Sequence, residues 1–156
     1  MSPDKTETSK SFAEKIESFL SKKIRVLDKA MSEAAFLSAK AVNPYNLTTD
    51  SSKAVGAAIG CDYFILATSA TLRRSSSQSH EYYESHASVY AVSSRTGRLV
   101  FWRLLRFDAL KAEDSQKNLN NATADLALDI ENKLKWTTKD ELAEPSLPEM
   151  EEPPDE

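Results

Sequence analysis

The sequence predicts an α/β domain, α+β in kind, with two or three layers. A small mixed sheet is built around an antiparallel three-strand meander, helices pack on it, and a long helix closes the chain. Three observations carry this expectation. Apolar residues recur at helical spacing near the start and again after residue 112. Between residues 61 and 107 the chain turns to β-branched and aromatic residues, in runs separated by polar turns. With 156 residues, 40% of them hydrophobic, the chain has material for one domain with a core.

The first element is an amphipathic helix over "SKSFAEKIESFLSKKI". Phe12, Ile16, Phe19 and Leu20 fall on one stripe, and Ser11 with Glu14 fits a capping box. Ile24 to Leu27 reads as a short strand and "MSEAAFLSA" as a second helix. Pro44 bends Asn43 away from helical angles, so "VNPYNLTTD" is a loop. Thr48, Thr49 or Asp50 then caps a third helix, "SSKAVGAAI", which ends at Gly60 in the left-handed position.

"CDYFILATSATLRR" follows as a strand. Its start is apolar on both faces, Tyr63 and Ile65 against Phe64 and Leu66, as expected of a strand covered on both sides. After the polar loop "SSSQSH", a second strand runs from Tyr82 to Ser93. The turn "RTGR" leads to a third, "LVFWRLLRF", with Gly97 at the position that needs positive φ. From Ala112 to Lys135 the period is helical again, with Leu119, Ala122, Leu126, Ile130 and Leu134 as the apolar stripe.

Charge divides the chain. Residues 140–156 carry eight carboxylates and no Lys or Arg. The rest holds all 20 basic residues against the remaining 16 of 24 acidic ones, a net of +4. The domain is therefore expected over residues 1–137, with an acidic, Pro/Glu-rich disordered tail or linker over 138–156. No apolar run approaches the roughly 18 residues of a membrane span. The opening "MSPDKTETSK" has no apolar h-region, so no signal peptide is expected in this stretch.

The chemistry-bearing residues are few. Six arginines (Arg73, Arg74, Arg95, Arg98, Arg103 and Arg106) interleave with Tyr82, Tyr83, Tyr90, Phe101 and Trp102. Guanidinium beside aromatic rings is what single-stranded nucleic acid needs. Strand composition and soluble turns account for the same pattern, so nucleic acid is the alternative reading, not the favoured one. Arg73, Arg74, Tyr82, Tyr83, Arg95 and Arg98 form the candidate partner surface. The "LRRSSS" and "RTGR" turns belong at opposite ends of a meander, so the arginines are expected to form no single site.

His80 and His86 lie about 20 Å apart on an extended strand, too far to share a metal ion. Cys61, the lone cysteine, reads as a small buried residue. "VGAAIGCD" lacks the residues of a phosphate loop or a dinucleotide fingerprint. No catalytic residue, metal ligand or cofactor is assigned, and the chain is expected not to be an enzyme.

The order of segments resembles a known family. A helix ends in Gly60-Cys61-Asp62 just before a strand. Two strands later comes the Thr96-Gly97 turn, and a long helix finishes the domain. This is similar to the family of the TolB amino-terminal domain and the curli-secretion lipoprotein CsgG. "KIRVLDKA" matches its strand and Asp/Glu-Arg element, with Lys29 where arginine is usual. The likeness spans residues 9–136. The acidic Pro-rich tail resembles the linker of envelope proteins in which such a domain precedes a TonB-type carboxy-terminal domain, which this stretch lacks. The strand that opens the family fold is missing before the first helix. A start placed too late, or a fragment, would explain that and the missing signal peptide together. The resemblance implies a periplasmic or cell-envelope accessory domain that binds protein partners, with an oligomer among the options. It brings no catalytic residues with it.

Overall fold

The computed structural model describes residues 6–27, 29–38, 44–77 and 81–143. In chain order it has α1 (Glu7–Leu20), α2 (Lys29–Ser38), α3 (Thr49–Ile59), β1 (Tyr63–Arg74), β2 (Tyr82–Ser93), β3 (Leu99–Ala109), α4 (Ala112–Asn121) and α5 (Thr123–Ala143). The fold is α/β with a long C-terminal helix, and the three strands form a meander in the order β1-β2-β3.

The mixed sheet expected from sequence is antiparallel throughout among the described residues. The reason lies at Ile24 to Leu27, where no strand forms: Lys23 and Ile24 both donate to the Leu20 carbonyl, and Arg25 to Leu27 continue as coil. α1 also starts a turn earlier than the Ser11–Glu14 box implied. Thr6 is its N-cap, with the side-chain oxygen accepting from the Ser9 amide at 3.2 Å.

Two apolar clusters sandwich the sheet. On one face, Phe12, Ile16 and Leu20 of α1 and Leu126, Ile130 and Leu134 of α5 meet Ala67, Ala87, Val89 and Ala91. On the other, Phe36 of α2 and Val55 and Ile59 of α3 cover Phe64, Leu66 and Val92. β1 contributes to both, as its two-sided apolar start implied. The ring of Phe36 meets that of Phe64 edge-on at 5.5 Å between centroids, a favoured aromatic geometry.

Farther along β1 the first face carries hydroxyls in place of large apolar groups. Ser69 donates its amide to Ser9 Oγ at 2.8 Å, and that hydroxyl donates to the Ser69 carbonyl at 3.0 Å. Thr71, Ser85 and Ser115 form a hydroxyl chain with both steps at 2.8 Å, closed by Ser115 donating to the Ala112 carbonyl. Partners of this kind let small polar groups sit in the core without a desolvation penalty.

The stretch expected as one helix from Ala112 is two, interrupted at Ala122. α5 then runs to Ala143, six residues past the boundary expected at 137. Thr138 and Glu141, assigned to the tail from sequence, instead touch the body: Tyr63 Oη lies 2.8 Å from Thr138 Oγ1, and Arg95 Nε lies 3.3 Å from Glu141 Oε2. Residues 144–156 of the expected tail lie outside the described residues.

Candidate partner-binding groove

β1 is an outer strand, paired with β2 on one side from Tyr63↔Ser93 to Arg74↔Tyr82. Along its other side runs a groove of about 480 Å³. Ala13, Ile16 and Leu20 of α1 wall it on one face of β1, and Phe36 and Ile59 wall it on the other. Ile24 to Leu27 line it as well. Val26 is 39% exposed there, while Ile24 and Leu27 are half-buried. Among the described residues, no backbone hydrogen bond ties Arg25, Val26 or Leu27 to the rest of the chain. An apolar groove open to the surface is the kind of feature that marks a protein-interaction site.

Charged side chains line the groove as well. Glu14 and Glu17 project from α1, and Arg25 and Lys29 from the stretch after it. None of the four makes an ion pair among the described residues. Cys61 is half-buried at one end, with Sγ 3.5 Å from Ser94 Oγ. Burial pushes its thiol above the ordinary value and the Asp62 charge adds to this, against the Ser94 hydrogen bond. The sulfur is thus held as a thiol, in the opposite sense to an activated nucleophile. Burial likewise pushes up the Tyr63 phenol.

Gly60 closes α3 at φ 72°, and Gly97 turns at φ 68° with its amide donating to the Ser93 carbonyl at 2.8 Å. Thr96 Oγ1 accepts from the Arg98 amide at 3.3 Å, and the Asp62 carbonyl accepts from the Ser94 amide at 2.8 Å. Together these bonds lock the β2–β3 turn against the entry to β1.

The candidate partner surface is divided in two. Arg73 and Arg74 lie opposite Tyr83 and Tyr82 at one end of the sheet, while Arg95 and Arg98 flank the turn at the other. β2 is 12 residues long, so the groups are separated by roughly 40 Å at most, at about 3.3 Å per residue. Arg73 pairs with Glu81, Arg95 with Glu141, and Arg103 with Asp129 at 2.6 Å. Arg74 and Arg106 both reach Glu84, at 3.2 and 2.8 Å, and His86 Nδ1 is 3.6 Å from the same carboxylate. Of the six arginines, Arg98 makes no ion pair among the described residues.

Sequence reasoning missed Glu84 as the hub of this cluster. Its side chain is 9% exposed, and even spacing along β2 with the cross-strand register places it beside both arginines. It also missed the groove, whose one sequence signal is an apolar Ile24–Leu27 with no partner strand assigned. His80 lies outside the described residues. Among the described residues no three His, Cys, Asp or Glu side chains are grouped to hold a metal ion, and no helix is long and apolar enough to cross a membrane.

No family model matches the chain, and no curated protein matches it. Among solved structures, a "putative lipoprotein from Caulobacter crescentus CB15" is similar at 12% identity, over 84% of this chain and 98% of that one, with a TM-score of 0.29. At that TM-score the likeness establishes neither family nor role.

Proposed function

We propose that this chain is a non-catalytic protein-binding domain, an accessory or assembly module of the bacterial cell envelope of the TolB amino-terminal and CsgG kind. The front part of a protein that continues into a TonB-type domain is the specific form this takes. The observation that carries the binding role is the apolar groove beside the outer strand β1. The envelope setting rests on the resemblance of the Gly60-Cys61-Asp62 and Thr96-Gly97 segments to that family. The nucleic-acid alternative draws no support from the arginines, which are divided between two ends of the sheet and largely engaged by carboxylates.

Two measurements test the reading. Fractionation of the native host should place the domain with the envelope; recovery with the cytosol would contradict that part. A photo-crosslinking residue at Val26, in the groove, should yield adducts to a polypeptide in living cells, whereas one at Leu104, on the exposed outer part of the sheet, should not. Adducts from Leu104 alone would move the binding surface elsewhere.

A further inference from the structure

We propose that the groove receives an amphipathic helix of a partner protein, about two turns long, with an apolar stripe flanked by basic residues. This rests on the protein-binding reading above and names the form of the partner.

The edge of β1 excludes a strand as the occupant. Ile65, within the lining, already has a partner. Farther along, Ser9 Oγ engages both the Ser69 amide and the Ser69 carbonyl, at 2.8 and 3.0 Å. An extended segment laid there would keep main-chain groups unpaired against apolar walls, which is costly. A helix satisfies its main chain internally and brings only side chains to the groove.

Two of the walls are themselves helix stripes. Ala13, Ile16, Glu17 and Leu20 line the groove from α1, and Lys29, Ser32 and Phe36 line it from α2. Both sets follow the three- and four-residue spacing of a single helix face. Each runs for about 10 Å at about 1.5 Å per residue, or roughly two turns. A third helix meshes with rows of this kind at axis separations of about 8–10 Å. The space of about 480 Å³ holds a few large side chains and not a whole helix, so the partner lays one face into it.

Charge selects the flank of the stripe. Glu14 and Glu17 are exposed, one turn apart on α1, and make no ion pair among the described residues. Basic residues one turn apart on the incoming helix complement both. The chain's own helices oppose a second copy as the occupant. The exposed apolar residues of α5, Leu128 and Trp136, stand two turns apart with Asn132 between them, so they offer no stripe on successive turns.

The test is fluorescence anisotropy with the full chain and labelled peptides. The first is Ser-Glu-Leu-Lys-Ala-Leu-Leu-Lys-Glu-Leu-Lys-Ala-Leu-Leu-Lys, whose leucines share one helix face. The second has proline for the central Lys, which keeps every Leu and breaks the helix. The third has the same composition with Leu at alternate positions, a stripe that forms only when the peptide is extended. The first should bind at tens of micromolar or tighter, and the other two at least tenfold more weakly. Val26→Asp, and Glu14→Lys with Glu17→Lys, change exposed positions that tolerate charge; each variant should weaken the first peptide at least tenfold. Leu104→Asp, away from the groove, should leave it unchanged. A peptide with Glu for every Lys should prefer the Glu14→Lys, Glu17→Lys chain to the native one. Equal binding of the first three peptides, no binding of the first, or loss through Leu104→Asp in place of Val26→Asp would each overturn the proposal. So would a dimer in sedimentation equilibrium that Val26→Asp dissociates and the first peptide does not. Crosslinks from Val26 to a protein, without selective binding of the helical peptide, would overturn the helix acceptor and leave the protein-binding reading in place.

Discussion

Three glycines separate conformational from steric demand. Gly60 and Gly97 share a left-handed φ, 72° and 68°. A Cβ added at Gly60 meets nothing within 4 Å, while one at Gly97 would lie 2.2 Å from the Thr49 carbonyl oxygen. Gly60→Ala should therefore cost about 1 kcal/mol, the strain of a side chain at positive φ. Gly97→Val should cost clearly more than that ~1 kcal/mol, and chemical denaturation of the two variants measures the difference. Equal midpoints would contradict the close approach of α3 to the turn. The positive φ of both glycines was legible in sequence, because a helix end and a hairpin each demand it. The packing of Thr49 on Gly97 was not, since 48 residues of chain separate the two. The same holds for Gly56, where a Cβ would lie 2.2 Å from Ser94 Oγ. At Cys61 the raised thiol predicts slow alkylation by iodoacetamide at pH 8, well below the rate of the urea-unfolded chain. A rate equal to the unfolded one would show the sulfur to be open and unshifted.

At the scale of elements, α5 carries the largest revision. Lys135 Nζ lies 2.5 Å from Glu131 Oε1, one helical turn away, and this hydrogen bond holds the buried Glu131 carboxyl below its usual range against the effect of burial. A lowered folded-state value means the pair stabilises above the unfolded carboxylate value of about 4.3 and stops doing so as pH falls through the folded value. Lys135→Met should thus lower Tm at pH 7, and the difference should close as pH is taken below about 4. A gap constant with pH would deny the pair its role.

The same helix predicts that truncation after Trp136 lowers Tm by several degrees. It removes buried Thr137 and the contacts of Thr138 and Glu141, and a shift of about 1 kcal/mol moves a domain of this size by roughly 2–4 °C. From sequence the cut at Trp136 looked harmless: the stripe Leu119 to Leu134 ends there, and the later contacts of α5 are polar and long-range. Apolar periodicity also placed β2 from Tyr82 to Ser93 and the buried stripe of α1, both as formed. It failed at Ile24–Leu27, where strand-like composition has no strand to pair with. Propensity alone does not make a strand.

For the whole molecule, the division of charge bears on the two functional readings. Arginines paired in separate groups cannot track one phosphate backbone, because a single-strand binder needs a continuous basic groove with stacking rings. At physiological salt, anisotropy with single-stranded DNA and RNA should show no micromolar binding, and Arg73→Ala, Arg74→Ala, Arg95→Ala and Arg98→Ala combined should change nothing. Tight, salt-sensitive binding lost in that variant would restore the nucleic-acid reading.

What the fold leaves accessible is the apolar groove beside β1, walled by α1 on one face and by α2 and α3 on the other. Photo-crosslinking in living cells tests its role most directly. A photo-reactive residue at Val26 should give adducts to a polypeptide, and one at Leu104 should not. Adducts from Leu104 alone, or from neither position, would contradict the account.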